Sequence, residues 1–492
     1  MFSLDPFCLV ICGGAGDLSR RKLLPTLFHL YREKILPENF SVIGFGVPDM
    51  SSEEYRALTK DALQEFSESP LDSAEAGEFL RRLDYRGGDF EQDDSYQNLK
   101  RDVLEKSYPG PNGERNVIYY MAVPPTFFPV LIRKLDEHGL NRGEISPRIV
   151  IEKPFGRDLQ SAVELNEIVS QAFLENQIYR MDHYLGKETV QNILYFRFSN
   201  SIFEPLWNRR YIDNVQITAA ETIGIEHRGK FYEQAGIGRD IIQNHMMQLV
   251  GLIAMEPPSG FEADLIRDEK IKALRALRPL SRADARLNVV FGQYGADPEA
   301  GARAYREEKH VAPDSVTPTF FAGRFYIDNW RWAGVPFYVR AGKRMPRKLT
   351  EIVIQFRMPP LSLFGDAQGA LEPGYLILTI QPQESIILRY HVKYPNSARR
   401  TQAVNMEFCY DREFEEKSYP AYSRLLMDCM KGDLTLFVRQ DGIETMWKFI
   451  DPVLKCREEE PYTDFPNYAA GTWGPQEADD LLTADGRTWF TR

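Results

Sequence analysis

Cysteine is scarce in this 492-residue chain. The five residues Cys8, Cys12, Cys409, Cys429 and Cys456 are odd in number and scattered, with no Cys-x-x-Cys pair. That pattern argues against a disulfide frame or a zinc site and fits a reducing compartment. Long apolar runs are also missing. No stretch approaches ~18 consecutive apolar residues, the rough length of a bilayer span, and no basic region followed by a long apolar run opens the chain. Positive charge is in deficit: 60 Lys and Arg stand against 71 Asp and Glu, for a formal net charge of -11. A general role on nucleic acid or anionic membranes is disfavoured, and an anionic ligand would need local cations working against the overall field. Neither an internal repeat nor a low-complexity linker is visible. These absences lead us to expect a cytoplasmic protein with no metal, no nucleic-acid partner and no membrane partner.

The chain has enough apolar material for real cores, at 43% hydrophobic and 12% aromatic residues, and its length suggests two or more domains. The first part alternates short apolar runs with helical patterns. "FCLVICGG" (7–14), "FSVIGFG" (40–46), "NVIYYMAVPP" (116–125), "PRIVIEKP" (147–154) and "QIYRMDH" (177–183) read as buried strands. Helical patterns at 21–34, 126–138 and 159–175 lie among them. Buried strands alternating with helices predict an α/β, Rossmann-like, doubly wound parallel sheet. Beyond about Lys187 the pattern changes. Strands at 213–221, 350–356, 375–382, 385–392 and 404–410 are mostly joined by short polar turns, which predicts a mostly antiparallel sheet in a larger β+α domain. Helices at 240–255 and 421–430 are expected to cover one face of it. We expect a dinucleotide-binding domain over 1–190 and a substrate and dimerisation domain over 191–492.

Four stretches carry chemistry. In "ICGGAGDLSRRKL", Gly13, Gly14 and Gly16 lie between a strand and a helix. Glycine lets the backbone approach a pyrophosphate, and the helix N-terminus supplies amides and a positive dipole end. The fingerprint is imperfect, because Ser19 stands where a third glycine could be, and a plain strand-to-helix glycine turn is the alternative. After the second strand comes "GFGVPDM", with Val47 and Asp49. Neither an arginine for a 2′-phosphate nor a clearly placed acid for ribose hydroxyls follows, so NAD and NADP both stay open.

Ligands of parallel α/β sheets bind outside the carboxyl ends of the strands. Lys153 of "IEKP" and Asp182 and His183 of "RMDH" fall on that edge. Neighbouring side chains on extended backbone point to opposite sides, so Asp182 and His183 are expected to have different partners. Each taken alone also reads as a solvated loop residue. In "GIGRDIIQNHMMQLVGLIAMEPP", Asp240 is placed to cap a helix, and His245 has Ile241, Ile242 and Leu249 at helical spacing. A core histidine is the plain reading. The sharper one is a general base, because a neutral imidazole can take a hydroxyl proton near physiological pH, steadied by a carboxylate on its other nitrogen. Last, "VPFYVRAGKRMPRK" ends a strand with Arg340, Lys343, Arg344, Arg347 and Lys348, a basic run that reads either as an anion site or as a solvated turn.

Taken together, "GGAGDL", "AVPPTFF", "IEKPFG", "RMDHYLGKE", "GIGRDIIQNH", "RDEKIKAL", "GVPFYVRAGKR", "DCMKGDLTLFVR" and "AGTWGP" resemble glucose-6-phosphate dehydrogenase, in that family's order and almost end to end. The resemblance implies oxidation of β-D-glucose 6-phosphate to 6-phosphogluconolactone with hydride transfer to NADP or NAD, the first step of the oxidative pentose phosphate pathway. It implies His245 as the base and Asp182 as the residue that orients it. His183, Tyr184 and Lys187 map to phosphate contacts. Lys153, Glu221, Asp240, Lys343 and Lys348 map to further substrate contacts. The coenzyme loop maps to Gly13, Gly14, Ala15, Gly16, Asp17, Leu18 and Lys22, with Lys153 shared between coenzyme and substrate. A homodimer or homotetramer is implied too. One departure concerns cofactor choice: most NADP-using members carry an arginine where Val47 stands, which predicts dual or NAD-leaning use. A catalytically silent dinucleotide or sugar-phosphate sensor, or a dehydrogenase of a related sugar phosphate, are the alternatives; the presence of both His245 and Asp182 speaks against the sensor. Arg180 and Glu188 have no assigned role.

Overall fold

The computed structural model describes residues 4–67, 73–297, 301–361, 363, 371–397, 400–414, 419–460 and 464–491. The chain forms two compact units. The first takes Met1–Gly186, Phe261–Arg267 and Tyr419–Glu444; the second takes Lys187–Gly260, Asp268–Ser418 and Thr445–Arg492. The main change of unit falls between Gly186 and Lys187, beside the boundary expected near 190, and two later segments return to the first unit.

In the first unit, β1 (Phe7–Cys12), β2 (Phe40–Gly46), β3 (Leu83–Gly87), β4 (Arg115–Met121), β5 (Ile145–Ile151) and β6 (Ile178–Arg180) form one sheet in the order β3-β2-β1-β4-β5-β6. Every pairing in it is parallel. β1 and β2 are buried at every residue, which is why they read as continuous apolar runs. The strand order reverses between β1 and β4, where such sheets open a crevice for a ligand. The edge strand β3, "LDYRG", is absent from the sequence expectation: only two of its five residues are buried.

Helix Ala421–Lys431 was expected on the antiparallel sheet. It belongs instead to the first unit, where Leu425, Leu426 and Met427 share a core with Leu9, Ile11, Tyr120 and Val150. Arg148 of β5 secures its far end by donating to the carbonyls of Cys429 (3.0 Å) and Met430 (2.7 Å).

The second unit holds an eight-stranded sheet built from β7 (Ile212–Ala220), β8 (Val289–Gly292), β9 (Phe320–Tyr326), β10 (Pro336–Gly342), β11 (Leu349–Phe356), β12 (Tyr375–Gln381), β13 (Ser385–Lys393) and β14 (Thr401–Cys409). The order is β14-β13-β12-β11-β7-β10-β9-β8. All its pairings are antiparallel except one: β7 and β10 run parallel, with Ala220 opposite Gly342. This one parallel pair brings the carboxyl ends of two neighbouring strands to one edge. Among the described residues no helix is long and apolar enough to cross a membrane.

Candidate active site

In the first unit the glycine loop leaves β1 at the point where strand order reverses. Gly13 has φ +86°, and a Cβ there would stand 2.5 Å from the carbonyl oxygen of Ala122, just past the end of β4. A Cβ on Gly14 would stand 2.5 Å from the Cα of Gly44 in β2. Both glycines are therefore required by close backbone approach, and the chain beyond turns through Ala15, Gly16, Asp17 and Leu18 into a π-helical segment, Ser19–Leu23. Ser19, in place of a third glycine, is fully buried. Lys22 is exposed on this segment, and Arg21 next to it is tied to Asp17 at 2.7 Å. After β2, Val47 stands 65% exposed. Asp49 turns away: its Oδ1 sits where a Cβ on Gly87 would be, at the end of β3. The cysteines of β1 take no part in this chemistry; burial pushes the thiols of Cys8 and Cys12 up to about 12.

Lys153 follows β5 by two residues. Its neighbour Glu152 accepts from the Tyr120 hydroxyl at 2.6 Å and from the Tyr422 hydroxyl, and burial raises its carboxyl above the ordinary range. The stretch after β6 is a tight turn. Asp182 is almost wholly buried; its Oδ1 accepts from the Tyr184 amide at 3.0 Å and its carbonyl from the Leu185 amide at 3.0 Å. The His183 ring lies 5.2 Å from that of Tyr184 and is stacked on Tyr422 at 6.4 Å, with 13° between the planes. Gly186 ends the turn against the carbonyl of Ala421, 2.6 Å from where a Cβ would be. Arg180 gains a role here. Its side chain is 1% exposed and clasps Glu175 at 2.6 and 3.2 Å, while Glu175 also accepts from the Gln440 amide at 3.0 Å. It anchors the base of the turn and offers nothing to a ligand.

In the second unit, Glu221 and Lys343 are the first residues past the parallel strands β7 and β10. The Glu221 amide donates to the Gly342 carbonyl at 3.0 Å, so the two side chains leave one edge together. The Lys343 ammonium is bonded to the Glu221 carboxylate and lies 3.7 Å from Asp240 Oδ2 and 5.5 Å from the centre of the Tyr232 ring. The other Asp240 oxygen faces Arg228 at 3.3 Å.

Asp240 does not cap a helix. It lies inside one: helix Gly229–Ile237 breaks at Gly236 (φ 56°, ψ 178°) and continues as a π-helical segment, Gly238–Met246, then as helix Met247–Ala254. The π register shows in the bond from the Met247 amide to the Ile242 carbonyl. Residues five apart would be about 140° apart around an α-helix. In the i to i+5 register they follow each other by one turn. Asp240 and His245 thus rise from the same side of the segment, and His245 is wholly buried there. The far end of this helix is held by Arg197, fully buried, which donates to the carbonyls of Leu252 (2.9 Å), Ile253 (3.2 Å) and Met255 (2.9 Å). The indoles of Trp207 and Trp332 donate to Ile253 and Ala254.

The basic run of β10 divides. Only Lys343 faces this cluster. Arg340 is buried between the rings of Trp473 (4.6 Å) and Trp489 (4.2 Å) and donates to Thr218; Arg344 pairs with Glu308 at 3.4 Å; Arg347 lies over Trp473 at 5.5 Å. Lys348 is exposed at the start of β11. Lys187 begins the second unit as the residue before helix Glu188–Phe198. Arg228, Tyr232, Glu152 and Tyr422 escaped the sequence reading. Arg228 lies twelve residues before Asp240, a spacing with no meaning until the chain folds.

The arrangement in the second unit suits a polyol. A lysine flanked by two carboxylates, one of them deeply buried, supplies donors and acceptors for hydroxyl groups and repels a dianion. The first unit, with its glycine loop at the switch point, suits a dinucleotide.

Comparison with known proteins agrees over nearly the whole length. Residues 10–192 match the family described as glucose-6-phosphate dehydrogenase, NAD binding domain, and residues 194–490 match glucose-6-phosphate dehydrogenase, C-terminal domain. The glucose-6-phosphate 1-dehydrogenase of Chlamydia pneumoniae is 44% identical, over 98% of this chain and 96% of its own. That of Bacillus subtilis (strain 168) is 42% identical over 98% of both. A solved structure described as glucose-6-phosphate dehydrogenase in complex with its substrate glucose-6-phosphate is 35% identical, covers 100% of both chains and superposes with a TM-score of 0.90. Glucose-6-phosphate 1-dehydrogenase from Mycobacterium avium is 34% identical over 99% of both chains, with a TM-score of 0.84. The chain belongs to the glucose-6-phosphate dehydrogenase family.

Proposed function

We propose that this protein oxidises β-D-glucose 6-phosphate at its anomeric carbon, giving 6-phosphogluconolactone and a reduced nicotinamide dinucleotide. The observation that carries the reading is the Lys343 ammonium held between partly exposed Glu221 and deeply buried Asp240 at the parallel edge of the large sheet, with buried His245 on the helical segment that carries Asp240. His245 takes the proton of the anomeric hydroxyl while the hydride leaves the same carbon for the nicotinamide ring, so one base and one acceptor balance the reaction. Asp182 is its carboxylate partner and stabilises the imidazolium. Glu221, Asp240 and Lys343 hold sugar hydroxyls, with Lys153 and Lys348 as further contacts. His183, Tyr184 and Lys187 hold the phosphate dianion, where two potential cations and no acid among the three side chains suit its charge. Gly13, Gly14, Ala15, Gly16, Asp17, Leu18 and Lys22 form the coenzyme loop, and Lys153 also serves the coenzyme.

NADP or NAD fits the dinucleotide-binding unit, and exposed Val47 favours use of both. We also read the protein as cytoplasmic and as a homodimer or homotetramer, on the family resemblance. The test is the appearance of reduced nicotinamide with glucose 6-phosphate, compared with glucose, fructose 6-phosphate and 6-phosphogluconate. Turnover with glucose 6-phosphate at a kcat/KM far above the others is expected. Turnover with none of them would leave the sensor reading standing, and a preference for another sugar phosphate would replace the substrate.

A further inference from the structure

Helix Glu188–Phe198 has Lys187 as its N-cap residue. A lysine side chain has three donors and no acceptor, so it cannot take up the free amides of the first turn. A carboxylate distant in sequence does so. Glu384, in the turn between β12 and β13, accepts from the Thr189 amide at 3.0 Å. Its own backbone is fixed in turn, because the Tyr410 amide donates to its carbonyl at 3.2 Å. Burial raises the Glu384 carboxyl, Thr189 pulls it down, Glu188 raises it and Lys187 lowers it, which places Glu384 within electrostatic reach of both residues at the helix start. A negative charge there also suits the positive end of the helix dipole. Open helix N-termini attract anions. This one is filled by the chain's own acid.

We propose that Glu384 is a positioning residue for Lys187: it fixes the first turn of the helix and so the backbone that aims Lys187 at the substrate phosphate. The inference rests on the reading of Lys187 as a phosphate contact. Glu384→Ala removes the acceptor, whereas Glu384→Gln keeps an oxygen that can accept the same bond. In steady-state kinetics Glu384→Ala raises the KM for glucose 6-phosphate about fivefold, the size of a lost helix cap, with kcat and the dinucleotide KM within about twofold of wild type. Glu384→Gln returns the sugar-phosphate KM to within about twofold of wild type, which a merely loosened fold would not do. In a Lys187→Ala background, which itself has a raised KM, Glu384→Ala adds nothing further. An unchanged KM in Glu384→Ala beside a raised KM in Lys187→Ala overturns the proposal and leaves the role of Lys187 standing. So does a KM raised equally in the Ala and Gln variants. An unchanged KM in Lys187→Ala overturns the role of Lys187, and the proposal falls with it.

Discussion

The ammonium of Lys343 lies 3.7 Å from the carboxylate of Asp240, and both residues are at most 4% exposed. The pairing depends on the parallel register of β7 and β10, which delivers Lys343 beside Glu221, and on the π-helical segment that carries Asp240. Removing one partner of a buried ion pair strands the other's charge. Lys343→Met is therefore expected to destabilise the second unit by about 3 kcal/mol, with Arg228 the remaining cation at Asp240, and to lower kcat/KM for glucose 6-phosphate at least ~100-fold. Chemical denaturation and initial rates check the two effects separately; a variant of unchanged stability would mean that the pair is solvated.

Cofactor choice turns on the end of β2. Val47 is 65% exposed and Asp49 is folded back against Gly87, so neither an arginine nor a free acid follows the strand. The wild type is expected to use NAD and NADP with catalytic efficiencies within about tenfold of each other, and Val47→Arg to move the ratio toward NADP by at least ~10-fold through a charge-assisted contact to the 2′-phosphate. Efficiencies with both cofactors, for both proteins, decide it. A strong wild-type preference for NADP would show that another cation, with Arg20 and Arg21 the nearest in sequence, already reads that phosphate.

Asp428 lies in helix Ala421–Lys431 with its side chain 2% exposed and Arg424 at 3.1 Å. Burial pushes its carboxyl up to about 6, against the pull of Arg424 and Lys431 and with Asp433 adding to the rise. The folded state therefore holds this proton more tightly than the unfolded chain does. Its contribution is fully present below the unfolded carboxylate range near 3.8 and is lost as pH rises to about 6. Asp428→Asn mimics the protonated form. Its melting temperature relative to wild type is expected to rise between pH 4 and pH 6 and then level off, by an amount equivalent to at most ~3 kcal/mol. A difference independent of pH over that window would contradict the assignment.

The order of legibility follows burial and locality. β1, β2, β4 and β5 stand out because both faces of a parallel sheet are covered, so the strands are almost continuously apolar. β3 does not, because an edge strand with Asp84 and Arg86 breaks that pattern. Lys153, Asp182 and His183 lie just past the carboxyl ends of β5 and β6, but the strand expected over 177–183 stops at Arg180, so Asp182 and His183 sit in a turn and not on extended backbone. The π register at Asp240 was invisible: periodicity shows an amphipathic helix but not one extra residue in a turn. The amphipathic helix expected over 421–430 is legible, but its destination is not, because an apolar stripe fits either unit equally well. Arg340 looked like part of an anion site, but two tryptophans more than a hundred residues away enclose it. Glu384 had no local signal at all, since its partner is Thr189, 195 residues earlier.

The proposed chemistry turns on His245 as the base that takes the anomeric proton. The most direct measurement is the kcat of His245→Asn with glucose 6-phosphate, set against its KM and its melting temperature. A fall in kcat of at least ~1,000-fold is expected, with the KM changed by less than ~10-fold and the fold retained. A folded variant that keeps kcat within about tenfold of wild type would contradict it, and His245 would then be a core histidine.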